Sequence, residues 1–354
     1  MPDNYVDRYF IVDINLVTLN IQDLEKYDTQ GMFKIYDKWP EIAQESFNSN
    51  QKKINFTDIN YIIFAGMGGS GAIGDVFASI LSETNIHVNV VKGYNLPITA
   101  NSNTLVIPIS ISGNTDETIK ILEEAYRRNC KLIAFTSGGQ IEKICLEKSI
   151  EFRKIKEFHS PRASFPSFLY SILDILSNIL PIENEEVIES IRNLKQLKKI
   201  ISSENISKNN QAISLAKWIK DVPLVYYPFG LQSSAIRFKN SLQENSKIHV
   251  VIEDIVESCH NGIVAWERKS NIQPIFIKGT NDHDKTKERF KILIEYFEEN
   301  KIEFKEIVSN RSNILSKIIN LIYLLDYVSI YKAVLNKMDP SPVKSIDFVK
   351  NRLI

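Results

Sequence analysis

The chain has 354 residues, in which 43 lysines and arginines balance 43 aspartates and glutamates. A formal net charge of zero argues against a nucleic-acid partner or an anionic membrane surface, both of which favour basic chains. Hydrophobic residues make up 44% of the sequence, which is enough for a full core, and the length predicts about two domains.

The cysteines and the N-terminal segment bear on the compartment. Cys130, Cys145 and Cys259 form neither a C-x-x-C pair nor an even disulfide framework, which is typical of a reducing compartment and predicts no structural zinc or other metal site. The N-terminal segment lacks the basic-then-apolar pattern of a secretion signal, and no uninterrupted apolar run is long enough to cross a bilayer. We therefore predict a cytoplasmic protein without a membrane partner.

Residues 1–50 are predicted to form an N-terminal helical leader. Within it, 22–27 and 31–46 have helical patterns, the second broken near Pro40. Residues 51–188 then alternate β-prone and helical stretches, which is typical of a parallel sheet covered by helices on both faces. The predicted strands are 60–65, 86–91, 104–111, 131–136 and 150–155, and the predicted helices are 72–82, 116–128 and 140–147.

The first strand-to-helix turn of this region is rich in glycine. Residues 66–71 read GMGGSG and follow the apolar run 61–65. Glycines allow close backbone approach and a helix start presents unpaired N–H groups, so the turn predicts an anion site with phosphate as its guest. The weak dinucleotide pattern G-x-G-x-x-G is also present, but no acidic residue ends the next strand to hold a ribose. The alternative is a turn that only packs the helix on the strand.

A second strand-to-helix turn adds hydroxyl groups. Ser110, Ser112 and Thr115 surround a glycine between the predicted strand 104–111 and the predicted helix 116–128. Because parallel strands end at the same edge of a sheet, the two turns can close on one phosphate. Neither turn carries the lysine of a nucleotide P-loop.

These two turns resemble those of the sugar isomerase (SIS) domain family. The family holds the phosphate of a phosphosugar with such residues. The resemblance implies an α/β fold with two similar SIS-type domains, each a flavodoxin-like, doubly wound parallel sheet flanked by helices. It assigns phosphate binding to Gly69, Ser70, Ser110, Ser112 and Thr115.

Residues 189–354 repeat the plan of the first half and are predicted to form the second SIS-type domain. In place of the glycine-rich turn stand residues 228–231, which read PFGL, so we predict that this domain has lost its phosphate grip. A site shared by two such domains is expected at or near their junction. The predicted strands are 222–227, 248–252, 272–277 and 303–307, and the predicted helices are 233–244, 284–299 and 312–336.

Further segments resemble the phosphoglucose/phosphomannose isomerases, in the order of that family. Residues 160–166, SPRASFP, resemble its PRA-x-x-P segment, whose arginine lies beside the sugar carbons and corresponds to Arg162. Residues 239–247, KNSLQENSK, resemble its KN-x-x-x-EN-x-K segment, whose glutamate is the catalytic base and corresponds to Glu244. On sequence position alone, each residue could equally be a solvated surface charge.

Two more family residues lie towards the C-terminus. The segment Glu-x-x-His-Asn ends in His260 and Asn261, and the segment Ile-Asp-x-x-Lys ends in Lys350, in a tail that returns to the site in the family. The alternative for both residues is an exposed side chain without a catalytic role. The family works as a homodimer in which the histidine comes from the partner subunit, and the resemblance implies the same for His260.

The resemblance implies an aldose-ketose isomerase that interconverts glucose 6-phosphate, and mannose 6-phosphate, with fructose 6-phosphate. Proton transfer between C1 and C2 passes through a cis-enediolate, for which Glu244 would be the base and Arg162 the cation beside the oxyanion. His260, assisted by Lys350, would open the sugar ring, since histidine exchanges protons near neutral pH. The reaction requires no cofactor and no metal.

One departure concerns mannose 6-phosphate, whose acceptance the family associates with a threonine in the tail. Alignment on Ile346 and Asp347 puts Val343 at that position, and Ser341 is the nearest hydroxyl. Two other functions stay open. An aminosugar-phosphate isomerase or deglycase would use the same phosphate grip, and a deglycase would release ammonia. A non-catalytic sugar-phosphate sensor would tolerate the loss of Glu244.

Overall fold

The computed structural model describes residues 19–353, so the first part of the predicted leader lies outside the described residues. The described part of the leader is helical. A capping box at Asn20 starts the first helix, and Pro40 lies in the first turn of the third, where its missing N–H costs no hydrogen bond. The helical break lies at residues 37 and 38, near Pro40 as predicted. The three helices are α1 (Ile21–Tyr27), α2 (Met32–Tyr36) and α3 (Trp39–Phe47).

The first sheet is parallel throughout. Its strand order is β2-β1-β3-β5-β6, and β4 also pairs with β3. The predicted strand 131–136 is interrupted at Ile133, so it forms two short strands, β4 and β5. This is the doubly wound, flavodoxin-like order, in which ligands bind where the strand order reverses, between β1 and β3. The strands are β1 (Tyr61–Ala65), β2 (His87–Val91), β3 (Leu105–Ser110), β4 (Lys131–Leu132), β5 (Ala134–Thr136) and β6 (Phe152–Lys154).

Helices cover both faces of this sheet. On β1, Ile62 and Phe64 enter the main core, whereas Ile63 and Ala65 enter a separate core beneath α5 and α6. The alternation follows from the period of two in a strand, and both faces are apolar because both are covered. Helix α4 (Gly68–Ile80) packs on one face, and α5 (Asp116–Arg127) and α6 (Gly139–Glu147) pack on the other. The helices that follow along the chain are α7 (Phe165–Ile175), α8 (Asn184–Ile201) and α9 (Gln211–Trp218).

The second sheet repeats the topology of the first. Its order is β10-β9-β7-β8, all parallel, so its first strand again lies between the second and the third. The predicted strands 248–252 and 303–307 are displaced towards the C-terminus in the structure. The strands are β7 (Val222–Tyr227), β8 (Val251–Asp254), β9 (Ile272–Lys278) and β10 (Lys305–Val308), and the helices are α10 (Gln232–Ser241), α11 (Ile255–Ser258), α12 (Asp284–Glu299), α13 (Ile314–Leu335) and α14 (Lys344–Lys350).

The α/β architecture with two similar parallel sheets confirms the predicted fold class. The predicted boundary between residues 188 and 189 falls inside α8 (Asn184–Ile201), and the exact domain limits stay a prediction.

Helix α13 is the central helix of the second half. It is long and apolar enough to cross a membrane by length and composition, but 89% of its apolar window is buried inside the protein, where it packs against α8, α9 and α10. Its one buried acid, Asp326, is fully enclosed and forms an ion pair with Arg237 of α10, with 2.7 Å between Nη2 and Oδ2. Tyr36 and Ser241 also donate hydrogen bonds to this carboxylate. The network therefore joins α2, α10 and α13.

Candidate active site

The two predicted phosphate turns lie side by side at the carboxyl edge of the first sheet. The Ile111 backbone N–H donates to Ser70 Oγ over 3.4 Å, which links one turn to the other. Within the second turn, Ser110 Oγ and Thr115 Oγ1 are 3.0 Å apart. The hydroxyls of Ser70, Ser110 and Thr115 therefore gather at the β1/β3 switch point, as predicted from the strand-to-helix pattern.

Backbone geometry explains the glycines of these turns. Gly113 has φ +69°, and a Cβ atom there would lie 1.7 Å from the carbonyl oxygen of Gly138, so no other residue fits. Helix α4 begins at Gly68, which also has a positive φ, and not at the predicted residue 72, so the glycines form its first turn. Ser112 stands exposed at the rim, and its Oγ accepts only a long bond of 3.4 Å from Asn114.

Two helix N-termini open at this edge. Met67 precedes α4 and Thr115 precedes α5, and neither side chain caps the N–H groups of its helix. The first-turn N–H groups, together with the partial positive charge of a helix N-terminus, favour an anion. The arrangement can therefore bind a phosphate group.

The glycine-rich turn also meets the loop that carries Arg162. A Cβ atom on Gly69 would lie 3.4 Å from the Pro161 backbone, so the two segments are in contact. The Arg162 side chain is only 6% exposed and reaches across to the second half of the chain. Its Nε donates to Asn245 Oδ1 over 2.7 Å, and its Nη1 donates to Glu244 Oε2 over 3.3 Å. The predicted arginine and the predicted base are therefore direct neighbours.

Glu244 lies on an irregular turn instead of the end of a regular helix. Helix α10 ends at Ser241, and a π-helical turn, Leu242–Ser246, continues it. Such turns are rare and frequently occur at functional sites, because the extra residue redirects side chains. Glu244 keeps 24% of its side chain exposed, whereas the adjacent Asn245 is fully buried and donates to Ser329 of α13 over 2.8 Å.

The tail between α13 and α14 passes over Arg162. Arg162 Nη2 donates to the carbonyl oxygens of Pro340 and Ser341 over 2.7 and 2.8 Å. These bonds and those to Glu244 and Asn245 leave one N–H of Nη1 without an acceptor among the described residues. The Ser341 hydroxyl lies 3.4 Å from His159 Nε2. Val343, by contrast, is the N-cap of α14 and has no hydrogen bond to Arg162 in the described chain.

Two of the predicted residues are not brought to this cluster within one chain. His260 follows α11 at the edge of the second sheet and is exposed, and its ring forms no hydrogen bond with any described residue. Lys350 is exposed on α14, a helix in which no described residue is buried. Their catalytic roles stay predictions.

Three contacts of this site have no role predicted from the sequence. Asn245 orients Arg162, although its place beside Glu244 in the family segment was a usable signal. The tail carbonyls of residues 340 and 341 carry no sequence signal, because every residue has a carbonyl. The third contact is that of Lys247 with the same tail. Within residues 19–353, no group of three His, Cys, Asp or Glu side chains is placed to hold a metal ion.

Similarity to known proteins places this geometry in a family. Residues 55–177 match the SIS domain, and residues 208–353 match the bacterial phospho-glucose isomerase C-terminal SIS domain. A bifunctional phosphoglucose/phosphomannose isomerase from Caldicellulosiruptor bescii is 30% identical over 335 residues, which cover 91% of this chain and 98% of the relative. The chain belongs to the bifunctional phosphoglucose/phosphomannose isomerase family. This membership confirms the resemblance drawn from the two turns and the later segments.

Two further comparisons give a related enzyme with another name and a solved structure with a similar fold. A D-glucosamine-6-phosphate 4-epimerase from Sulfolobus acidocaldarius is 25% identical over 249 residues, covering 70% of this chain and 77% of the relative. A solved structure of a hypothetical protein from Thermus thermophilus superposes with a TM-score of 0.71 at 12% identity, covering 94% of this chain and 92% of that chain. The second likeness shows a shared fold, and the first relative is named for its action on an aminosugar phosphate.

Proposed function

We propose that this chain is an aldose-ketose isomerase that interconverts glucose 6-phosphate, and mannose 6-phosphate, with fructose 6-phosphate. The observation that carries the proposal is the contact between Arg162 and Glu244, which lies next to the glycine-rich turn. A cation, a partly exposed carboxylate and an anion-binding turn close together are the groups that this isomerisation needs. Family membership supports the same reaction class.

The phosphate would anchor the substrate away from the reacting carbons. Gly69, Ser70, Ser110, Ser112 and Thr115 would hold it with backbone N–H groups and hydroxyls. Binding energy from such a remote group can serve to position the carbons over the base. Gly69 lies beside the backbone of Pro161 and Arg162, so a phosphate held there would lie near the segment that carries Arg162.

Glu244 would carry the proton between C1 and C2. A carboxylate suits this task because it can take the proton from one carbon and return it to the other on the same face. The developing cis-enediolate carries negative charge on its oxygens, and the remaining N–H of Arg162 Nη1 is available to stabilise it. Since Asn245 and the tail carbonyls hold the other N–H groups, the guanidinium is preorganised.

The ring-opening groups would come from His260, supplied by a partner subunit, and from Lys350. His260 is exposed and unpaired within the described chain, and α14 presents exposed apolar residues such as Ile346 and Phe348. Both features are compatible with a homodimer that covers them. We place the reaction in the cytoplasm, where buried free thiols such as Cys130 and Cys145 stay reduced.

A coupled assay tests the proposal. Supplied with fructose 6-phosphate, the protein should form glucose 6-phosphate and mannose 6-phosphate. Formation of glucose 6-phosphate alone would support the proposed glucose 6-phosphate isomerase and refute the proposed activity on mannose 6-phosphate. In that case Ser341 is the first residue to vary, because its carbonyl oxygen accepts a hydrogen bond from Arg162, whereas no hydrogen bond joins Val343 to Arg162 among the described residues. Formation of neither product would refute the isomerase.

The epimerase relative makes an aminosugar phosphate the second candidate substrate. The phosphate turns would bind it equally well, since it carries the same phosphate group. The same assay with glucosamine 6-phosphate, followed for ammonia and for sugar products, separates the two functions. Turnover of the aminosugar without turnover of fructose 6-phosphate would favour this alternative.

Replacing Ser112 by alanine should raise KM about tenfold and leave kcat nearly unchanged. A hydrogen bond to a charged group contributes about 1.5–3 kcal/mol, and the exposed Ser112 hydroxyl is little used by the fold itself. Steady-state kinetics with fructose 6-phosphate measures the effect. Ser82→Ala, on the exposed turn that follows α4, is the matched control. An unchanged KM would remove Ser112 from the phosphate site.

A further inference from the structure

Lys247 ends the π-helical turn that carries Glu244. Its backbone is left-handed, with φ +57° and ψ +38°, a conformation that residues other than glycine seldom adopt. The side chain then folds back over the turn, and Nζ lies 2.6 Å from the carbonyl oxygen of Glu244 and 3.3 Å from that of Asn245. The ammonium therefore donates to carbonyl groups that have no backbone N–H partner at the end of a helix.

The same ammonium reaches the tail. Nζ lies 3.4 Å from the carbonyl oxygens of both Asp339 and Pro340. The Pro340 oxygen also accepts from Arg162, whose Nη1 in turn donates to the Glu244 carboxylate. Four groups thus form a closed circuit: Glu244, Lys247, the Pro340 carbonyl and Arg162.

A closed circuit of hydrogen bonds of this kind fixes the distances between the four groups that form it. Glu244 lies on a short turn, and its carboxylate has no hydrogen bond with a described residue other than Arg162. Asn245 and Ser246 hold the turn to Ser329 of α13, and the Lys247 contacts add the link from the turn to residues 339 and 340. Without that link, the carboxylate could shift relative to the tail and to Arg162, away from the substrate carbons. The cost of such displacement is high, because misplacement of a reacting group by about 1 Å can reduce the rate about 100-fold.

We propose that Lys247 is a positioning residue, which fixes the Glu244 carboxylate relative to Arg162 by tying the π-helical turn to the tail at residues 339–341. The inference rests on the proposed isomerase function. Lys247 exchanges no proton with the substrate in this role. Among the described residues, no hydrogen bond joins the phosphate turns to the π-helical turn or to residues 339–341. Loss of the ammonium should therefore affect kcat and not KM.

The test replaces Lys247 by asparagine, which tolerates a left-handed backbone and removes the ammonium. Lys301→Asn is the matched control, since Lys301 is also a lysine with a positive φ, 56°, but follows α12 far along the chain from the site. We expect Lys247→Asn to lower kcat about 10–100-fold, to change KM less than about twofold, and to melt at the same temperature as Lys301→Asn.

A second readout is the transfer of solvent deuterium into the product at saturating substrate, which should slow in parallel with kcat. Lys247→Asn with the kcat of the wild type would overturn the inference. So would a loss of kcat that is accompanied by an equal rise in KM or by a lower melting temperature than that of the control. A wild-type protein without hexose 6-phosphate isomerase activity would instead refute the proposed function, and the two failures are therefore distinguishable.

Discussion

Replacing Glu244 by glutamine is expected to lower kcat about 10²–10⁴-fold, the usual contribution of a positioned general base. The amide retains the shape of the side chain and can still accept the hydrogen bond from Arg162 Nη1, so the site should stay assembled. The assay follows the conversion of fructose 6-phosphate, and calorimetric titration with fructose 6-phosphate shows whether binding survives.

The control for this variant is Glu295→Gln, an exposed glutamate on α12. It should match the wild type in both assays. If Glu244→Gln keeps more than about a tenth of the wild-type kcat, Glu244 is not the base, because a general base contributes more than that. Weak binding together with low activity would indicate a disturbed site instead of a missing base.

Replacing Asp326 by alanine should reduce the free energy of unfolding by about 3–5 kcal/mol. The variant leaves the Arg237 guanidinium buried without its partner, and Tyr36 and Ser241 each lose an acceptor. Unfolding in urea, followed by circular dichroism, measures the change. Activity should fall too, because Arg237 Nη2 also donates to the carbonyl oxygen of Arg162 over 2.7 Å.

Two further variants control this prediction. The double variant Arg237→Met/Asp326→Leu removes both charges, and it should recover most of the lost stability, since buried pairs are often replaceable by apolar residues of similar volume. Asp284→Ala breaks an exposed pair with Lys287 and should leave the unfolding midpoint in place. Equal losses in the single and double variants would show that shape, and not charge pairing, stabilises this part of the core.

Local signals account for the parts of the fold and site that the sequence predicts well. The first sheet follows from alternating apolar and helical stretches, and the phosphate turns follow from glycines and hydroxyls at strand ends. Each signal lies within a few neighbouring residues, so it can be recognised without knowledge of how the elements pack. The helices of the second half, such as α12 (Asp284–Glu299), are predicted for the same reason.

Contacts between distant parts of the chain account for what the sequence leaves open. Arg162 and Glu244 are 82 positions apart, and Arg162 and the Ser341 carbonyl are 179 apart. No periodicity relates such positions, and only the family resemblance joined the first pair in advance. The π-helical turn at 242–246 is likewise set by the burial of Asn245 against α13, which a helical pattern does not express.

The repeated topology of the two sheets has a consequence for the way the two halves divide the proposed reaction. Helix α10 follows the first strand of its sheet as α4 does in the other half, yet the proposed phosphate anchor lies at the start of α4 and the proposed base lies on the turn that follows α10. One anchor is enough for a single phosphosugar, so the second sheet needs no phosphate turn of its own. On this proposal neither half would act as an isomerase when expressed alone, because the anchor and the base belong to different halves.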